Sequence, residues 1–196
     1  MTGAVPSPYA RLAELGLELP APPAALAAYV PTTLAPLGDG RALLSVSGQV
    51  WVEAGRPVHR GRVPDEVSVA EAEDNARHCA LRVLAQLDAA AGLENVEQVL
   101  QVTVYVRSAD SFDAQPQVGN AASDLLVAVL GDAGRHARAA VGGQRSSPGR
   151  ARRGVGAGPG QAADSGMSRT RASAGKRARA ASLIWGISAL GWSTQR

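Results

Sequence analysis

The chain is poor in the groups that staple or metallate small domains. Cys79 is the single cysteine among 196 residues. That excludes an intrachain disulfide and a cysteine zinc site, and fits a reducing compartment, so a cytoplasmic protein is expected. His59, His78 and His136 show no ligand spacing with one another, so neither a metal centre nor a cofactor is expected. No glycine-rich phosphate loop and no Gly-x-Ser-x-Gly occurs, and Ser45 to Gln49 reads as a serine-bearing strand. The longest apolar run, Leu183 to Trp192, is interrupted by Gly186, Ser188 and Gly191. It falls far short of the roughly 20 residues of a membrane span. The N-terminus lacks a basic stretch leading into an apolar core, so no secretory signal is expected.

Acidic groups are nearly missing from the last quarter. Residues 143–196 hold ten of the twenty basic residues and one of the seventeen acidic ones, Asp164, for a net charge of +9. Residues 1–142 are left with −6. An acidic body argues against a nucleic-acid surface on the folded part. Beyond Gly142 the apolar periodicity stops, and Arg169 to Arg179 is a basic low-complexity run. A basic arm, a passive extension and an out-of-frame stretch are the three readings. The arm carries no aromatic side chain to stack a base before Trp185. Shifting the codons of Arg153 to Gln161 by one base permits Val-Glu-Leu-Glu-Leu-Val-Leu-Asp, an alternating strand. A frameshift is therefore placed ahead of the arm. The expected organisation is a flexible 1–10, a domain over 11–142 and a disordered basic tail over 143–196.

Within the body, Leu12, Leu15 and Leu19 suggest a short helix stopped by Pro20. Leu43 to Val52 reads as a strand with Leu44, Val46, Gly48 and Val50 on one face. Glu53 to Arg56 is a turn, and Pro57-Val58 a return segment. Ser68 and Glu71 form a Ser-x-x-Glu capping box. Ala72, Ala76, Cys79, Ala80, Val83, Leu84 and Leu87 follow as one helical stripe, with Gly92 as the stop. Cys79, inside that stripe, is expected to be buried and inert. Val99 to Arg107 alternates, with Leu100, Val102, Val104 and Val106 facing a core and Tyr105 facing away. Pro116 marks the first turn of a second helix, with Val118, Ala122, Leu125, Leu126 and Val129 as its stripe. Ala137 to Val141 begins another strand. The pattern predicts an α+β domain: a mixed, mostly antiparallel sheet covered on one face by two helices.

Ala28-Tyr29-Val30, Val46-Ser47-Gly48-Gln49, Asn120 and Gly134-Arg135-His136-Ala137-Arg138-Ala139-Ala140-Val141-Gly142, in that order, resemble the RidA/YjgF family. The similarity runs from about Leu12 to Gly142. The resemblance implies a chorismate-mutase-like fold, a homotrimer with clefts between subunits, and hydrolysis of reactive 2-imino or 2-enamino acids to 2-keto acids and ammonia. It also implies that Arg138 grips the substrate carboxylate, as the catalytic and binding arginine. Tyr29, Ser47, Gly48 and Asn120 would line the cleft. The plainer reading has Tyr29 packing, Ser47 bonding to backbone, Asn120 on a helix surface and Arg138 in a salt bridge.

Two departures bear on activity. The family's cysteine two places after the arginine is Ala140 here, and no glutamate follows Glu97, where the family has one on its final strand. The shifted frame would restore a Val-Glu-Leu near Arg153. A chain lacking that strand is expected to be impaired as a deaminase, poorly soluble or unable to trimerise, because an edge of unpaired ladder groups is exposed. The alternative is a non-catalytic trimeric module that binds small carboxylates. Endoribonuclease activity, ascribed to some members of the family, gains no support from the acidic body.

Overall fold

A computed structural model describes residues 5–22, 29–143, 179–182 and 186–189. Helix α1 spans Pro8–Glu14. Ser7 caps it, its Oγ accepting from the Ala10 N–H at 3.2 Å, and Pro8 occupies the first turn, where a missing N–H costs nothing. The helix thus starts inside the stretch expected to be loose. It also ends well before Pro20, with Gly16 in the left-handed region at φ 66° just beyond.

Strands β1 (Thr32–Gly38) and β2 (Arg41–Val46) form an antiparallel hairpin. Its two-residue turn is Asp39-Gly40, with φ of 51° and 74°, the left-handed pair such turns demand. In β2, Ala42, Leu44 and Val46 are buried. The strand ends at Val46, not Val52, with one further rung beyond it, Ser47 N–H donating to Pro31 O at 2.8 Å. Gly48 is consequently exposed and off the core face. A small hairpin follows, β3 (Val52–Glu53) with β4 (Arg56–Pro57).

Helix α2 (Val69–Ala91) opens on the expected capping box and closes at Gly92, φ 78°. The whole expected stripe is buried, from Ala72 to Leu87. Strand β5 (Gln101–Arg107) buries Val102, Val104 and Val106 completely. Leu100 does not join them; it is exposed, and Val99 is buried in its place. Alternation begins only at Gln101, because Val99 is drawn inward by its N–H bond to Ala133 O at 2.7 Å.

Helix α3 (Gln115–Leu130) leads through a single 3-10 turn to β6 (Ala137–Gly143). A strand that re-enters a sheet after a crossover helix lies parallel to the one it left. So it is here: β6 pairs with β5 from Gln101 opposite Ala137 to Arg107 opposite Gly143. Two further short strands, β7 (Arg179–Ser182) and β8 (Gly186–Ala189), lie parallel along β2 and β5. The rest of the stretch expected to be a disordered basic tail, with the proposed frameshift at Arg153 to Gln161, lies outside the described residues. The described strands fall into three sheets, β1-β2-β7, β3-β4 and β6-β5-β8; taken together the pairing is mixed as expected, but parallel pairs outnumber antiparallel ones. The core lies between the strands and helices α2 and α3, and Tyr105 stands exposed on the opposite face. No helix among the described residues is long and apolar enough to cross a membrane.

Candidate functional site

The register of β6 fixes where its side chains go. Arg138 stands opposite Val102 and Ala140 opposite Val104, both partners being core residues. Arg138 and Ala140 therefore face the helix side, while Ala139 and Val141 share the open face with Thr103 and Tyr105.

From this edge strand Arg138 folds along α3. Its Nη1 donates to Ser123 Oγ at 3.0 Å and its Nη2 to Pro116 O at 3.1 Å. Gly119 lies between these contacts on the same helical face. A Cβ at Gly119 would stand 3.4 Å from the guanidinium, in ordinary contact, so the group lies flat against this part of the helix. Ser123 Oγ is 2.9 Å from His136 Nε2, and His136 Nδ1 is 2.6 Å from Gly134 O. Among the described residues Arg138 makes no ion pair. Arg135, three residues earlier, does: it pairs with Asp132 at 3.1 Å. Arg138 is thus a half-buried cation oriented by neutral acceptors and left without a counter-ion.

Asn120 is exposed on α3, at helical spacing from Pro116 and Ser123. The other candidates sit elsewhere in the chain. Ser47 Oγ donates to Val30 O at 2.7 Å, and the buried Gln49 donates to Ser47 O at 2.8 Å. This is the backbone role the plainer reading assigned to Ser47. Tyr29 is 46% exposed, and Gly48 is exposed beside Ser47. These three belong with the β1–β2 sheet, whereas Arg138 and Asn120 belong with the outer strand of the β5–β6 sheet and its helix. Among the described residues no hydrogen bond joins the two groups.

The remaining reactive groups are accounted for by packing. Cys79 is completely buried, and burial pushes its thiol up to about 12, the inert state expected. His78 packs edge-on to Trp51, ring centroids 3.7 Å apart, and burial holds its imidazole below the usual value. His59 reaches Glu71 at 3.5 Å. No group of three or more His, Cys, Asp or Glu among the described residues is placed to hold a metal. A cavity of about 540 Å³ beneath α1, lined by Tyr9, Leu12, Leu17, Leu19 and Asp88 among others, shares no residue with the Arg138 corner.

Sequence reasoning missed Ser123 and His136. A signal existed for each: His136 is two residues from Arg138, and Ser123 lies one helical turn beyond Asn120.

Residues 9–144 match the family described as "YjgF/chorismate_mutase-like, putative endoribonuclease". Protein TCP17 of Trypanosoma cruzi is 39% identical over 135 residues, covering 68% of this chain and 81% of its own. The crystal structure of Atu1372 from Agrobacterium tumefaciens superposes with a TM-score of 0.58 at 44% identity, over 67% of this chain and 79% of that one. A "putative endoribonuclease" from Shewanella oneidensis MR-1 gives 0.60 at 31%, over 68% and 85%. A match across this much of the chain, carried by helix-covered strands with Arg138 on the edge strand β6, places the protein in the YjgF/chorismate mutase-like family.

Proposed function

We propose that the chain is a RidA-like scaffold for small 2-imino, 2-enamino or 2-keto acids, bound by Arg138 and working in the cytoplasm without metal or cofactor. Family membership supports a function of the endoribonuclease or deaminase kind at family level. The observation that carries the finer reading is the uncompensated guanidinium. An arginine fork offers five N–H donors. Two directions of this one are spent on Ser123 and Pro116, and no carboxylate among the described residues neutralises it. A small organic carboxylate is the complementary ligand, and a bidentate Arg–carboxylate pair is among the stronger polar contacts available.

The reaction needs few parts. Water adds to the electrophilic imine carbon, a tetrahedral carbinolamine forms, and ammonia leaves as the C–N bond breaks to give the 2-keto acid. Arg138 holds the carboxylate so that the imine carbon is presented at a fixed place. Tyr29, Ser47 and Gly48 of a neighbouring subunit would complete the cleft around Arg138 and Asn120 in a homotrimer.

The same surroundings favour a second reading, a binding module without turnover. Among the described residues no carboxylate pairs with Arg138, so none of them is held against it to orient water, and Ala140 supplies no thiol. Slow turnover is accordingly expected, consistent with a gene that reads out of frame beyond Gly142. The test couples an amino-acid oxidase to imine decay and titrates 2-ketobutyrate by calorimetry. Faster imine loss that vanishes in Arg138→Ala supports the deaminase. Binding that depends on Arg138 without faster loss supports the module. Binding of 2-ketobutyrate unchanged in Arg138→Ala sinks both.

A further inference from the structure

We propose that Ser123 and His136 are positioning residues for Arg138, forming a hydrogen-bond relay that aims the guanidinium at its carboxylate ligand. The proposal rests on the reading of Arg138 as the carboxylate clamp and adds the parts that hold it in place.

The direction of every bond in the relay follows from chemistry. A backbone carbonyl only accepts, so the His136 nitrogen 2.6 Å from Gly134 O, Nδ1, carries the proton. In the neutral ring Nε2 is then an acceptor, and the group 2.9 Å away, Ser123 Oγ–H, must donate to it. With its proton committed to His136, the Ser123 oxygen presents lone pairs to the only other neighbour in the relay, Arg138 Nη1 at 3.0 Å. Arginine never accepts, so with a neutral imidazole the order runs from Arg138 to Ser123, from Ser123 to His136 and from His136 to Gly134 O. A hydroxyl without a fixed acceptor rotates freely; here the imidazole locks it.

Geometry adds what the relay alone lacks. The second anchor, Nη2 to Pro116 O at 3.1 Å, lies about two helical turns from Ser123, so the two hold the planar group at both ends. The flat face of the guanidinium lies against Gly119 between them. His136 and Ser123 are both only partly buried and contribute little apolar packing. Their polar atoms are all directed along the relay. Such an arrangement limits the rotamer freedom Arg138 would otherwise lose on binding, and that pre-organisation appears as affinity.

The experiment compares Ser123→Ala, Ser123→Val, Ser123→Thr and His136→Ala with the parent chain, reading the 2-ketobutyrate dissociation constant and the thermal midpoint. Val and Thr have nearly the same shape, so their difference isolates the hydroxyl. Loss of one hydrogen bond to a charged group predicts a dissociation constant raised about tenfold in Ser123→Ala and Ser123→Val. Ser123→Thr is expected to stay within about threefold of the parent, and His136→Ala to weaken binding about threefold, since the hydroxyl is loosened but kept. Parent-like binding in Ser123→Val, or a loss in Ser123→Thr equal to that in Ser123→Val, overturns the relay. Arg138→Ala, run alongside, separates the two levels. If it loses binding while Ser123→Val does not, the relay alone fails; if it loses nothing, the clamp fails and takes the relay with it.

Discussion

Helix α2 and the β6–α3 corner are built on opposite terms. Every position of the α2 stripe from Ala72 to Leu87 is packed against the core, and the helix satisfies its own N-terminus through Ser68 and Glu71. The corner around Arg138 has little to pack with: Ala137, Ala139, Ala140, Gly142 and Gly143 make up most of β6. Its order comes from directed polar bonds, Arg138 to Ser123 and Pro116, His136 to Gly134. Burial of apolar surface is strong and non-directional, whereas hydrogen bonds are weak in net energy and strict in geometry. The molecule places stability in α2 and orientation at the corner.

Substitutions that separate the two quantities put that division at risk. The largest effect is expected from Leu84→Ala. Leu84 is completely buried, and truncation of such a leucine costs about 2–5 kcal/mol, read as a lower urea midpoint. Affinity for 2-ketobutyrate per folded molecule should stay at the parent value under native conditions. If affinity falls with stability, the corner is not independent of the core.

Next comes Arg138→Ala, which should do the reverse. Loss of a bidentate charge-assisted contact predicts a dissociation constant about a hundredfold higher, roughly 2.7 kcal/mol. Stability should move by less than about 0.5 kcal/mol, as for a substitution that creates no cavity and strands no buried charge. Arg135→Ala is the control beside it. Its guanidinium is 73% exposed and already paired with Asp132, so neither quantity should change measurably. A large stability loss in Arg138→Ala would mean that the guanidinium is a structural strut.

The same contrast explains what could be read from the sequence. Helix α2 was legible end to end because its determinants are local: a capping box, a stripe at steps of three and four, and Gly92. Strand β5 was legible apart from Leu100, whose place depends on a bond between Val99 and Ala133, 34 residues apart. Strand β1 escaped notice, being exposed along nearly its whole length and containing Pro36, so no alternation marks it. The Asp39-Gly40 dipeptide, a hairpin-turn signal, was not used. At the corner, Arg138 was reached through family resemblance, and the parallel register that turns it toward α3 leaves no trace in a strand of alanines and glycines. The Ser123–His136 contact spans 13 residues and the Ser123–Arg138 contact 15, distances at which periodicity is silent.

The smallest effect tests the claim that α2 is locally self-sufficient. Ser68 Oγ accepts from the Glu71 N–H at 3.2 Å, while the Glu71 carboxylate accepts from Ser68 Oγ at 2.7 Å and Ser68 N at 2.8 Å. Removing such a cap by Ser68→Ala costs about 1 kcal/mol at neutral pH. The Ser68 hydroxyl, then its backbone N–H, hold the Glu71 carboxyl below its ordinary value. A carboxyl depressed in the folded state contributes stability that is fully present above its unfolded pKa, about 4.3 for glutamate, and is lost as pH falls through the lower folded value. The stability gap between parent and Ser68→Ala should therefore be constant from about pH 6 to 8 and shrink steadily in acid below about pH 4. Glu71→Gln, whose amide keeps an acceptor oxygen but has no proton to gain, should show a smaller acid-dependent change than the parent. A gap that widens in acid would place the cap's energy in some group other than this carboxylate, and the local account of α2 would have to be given up.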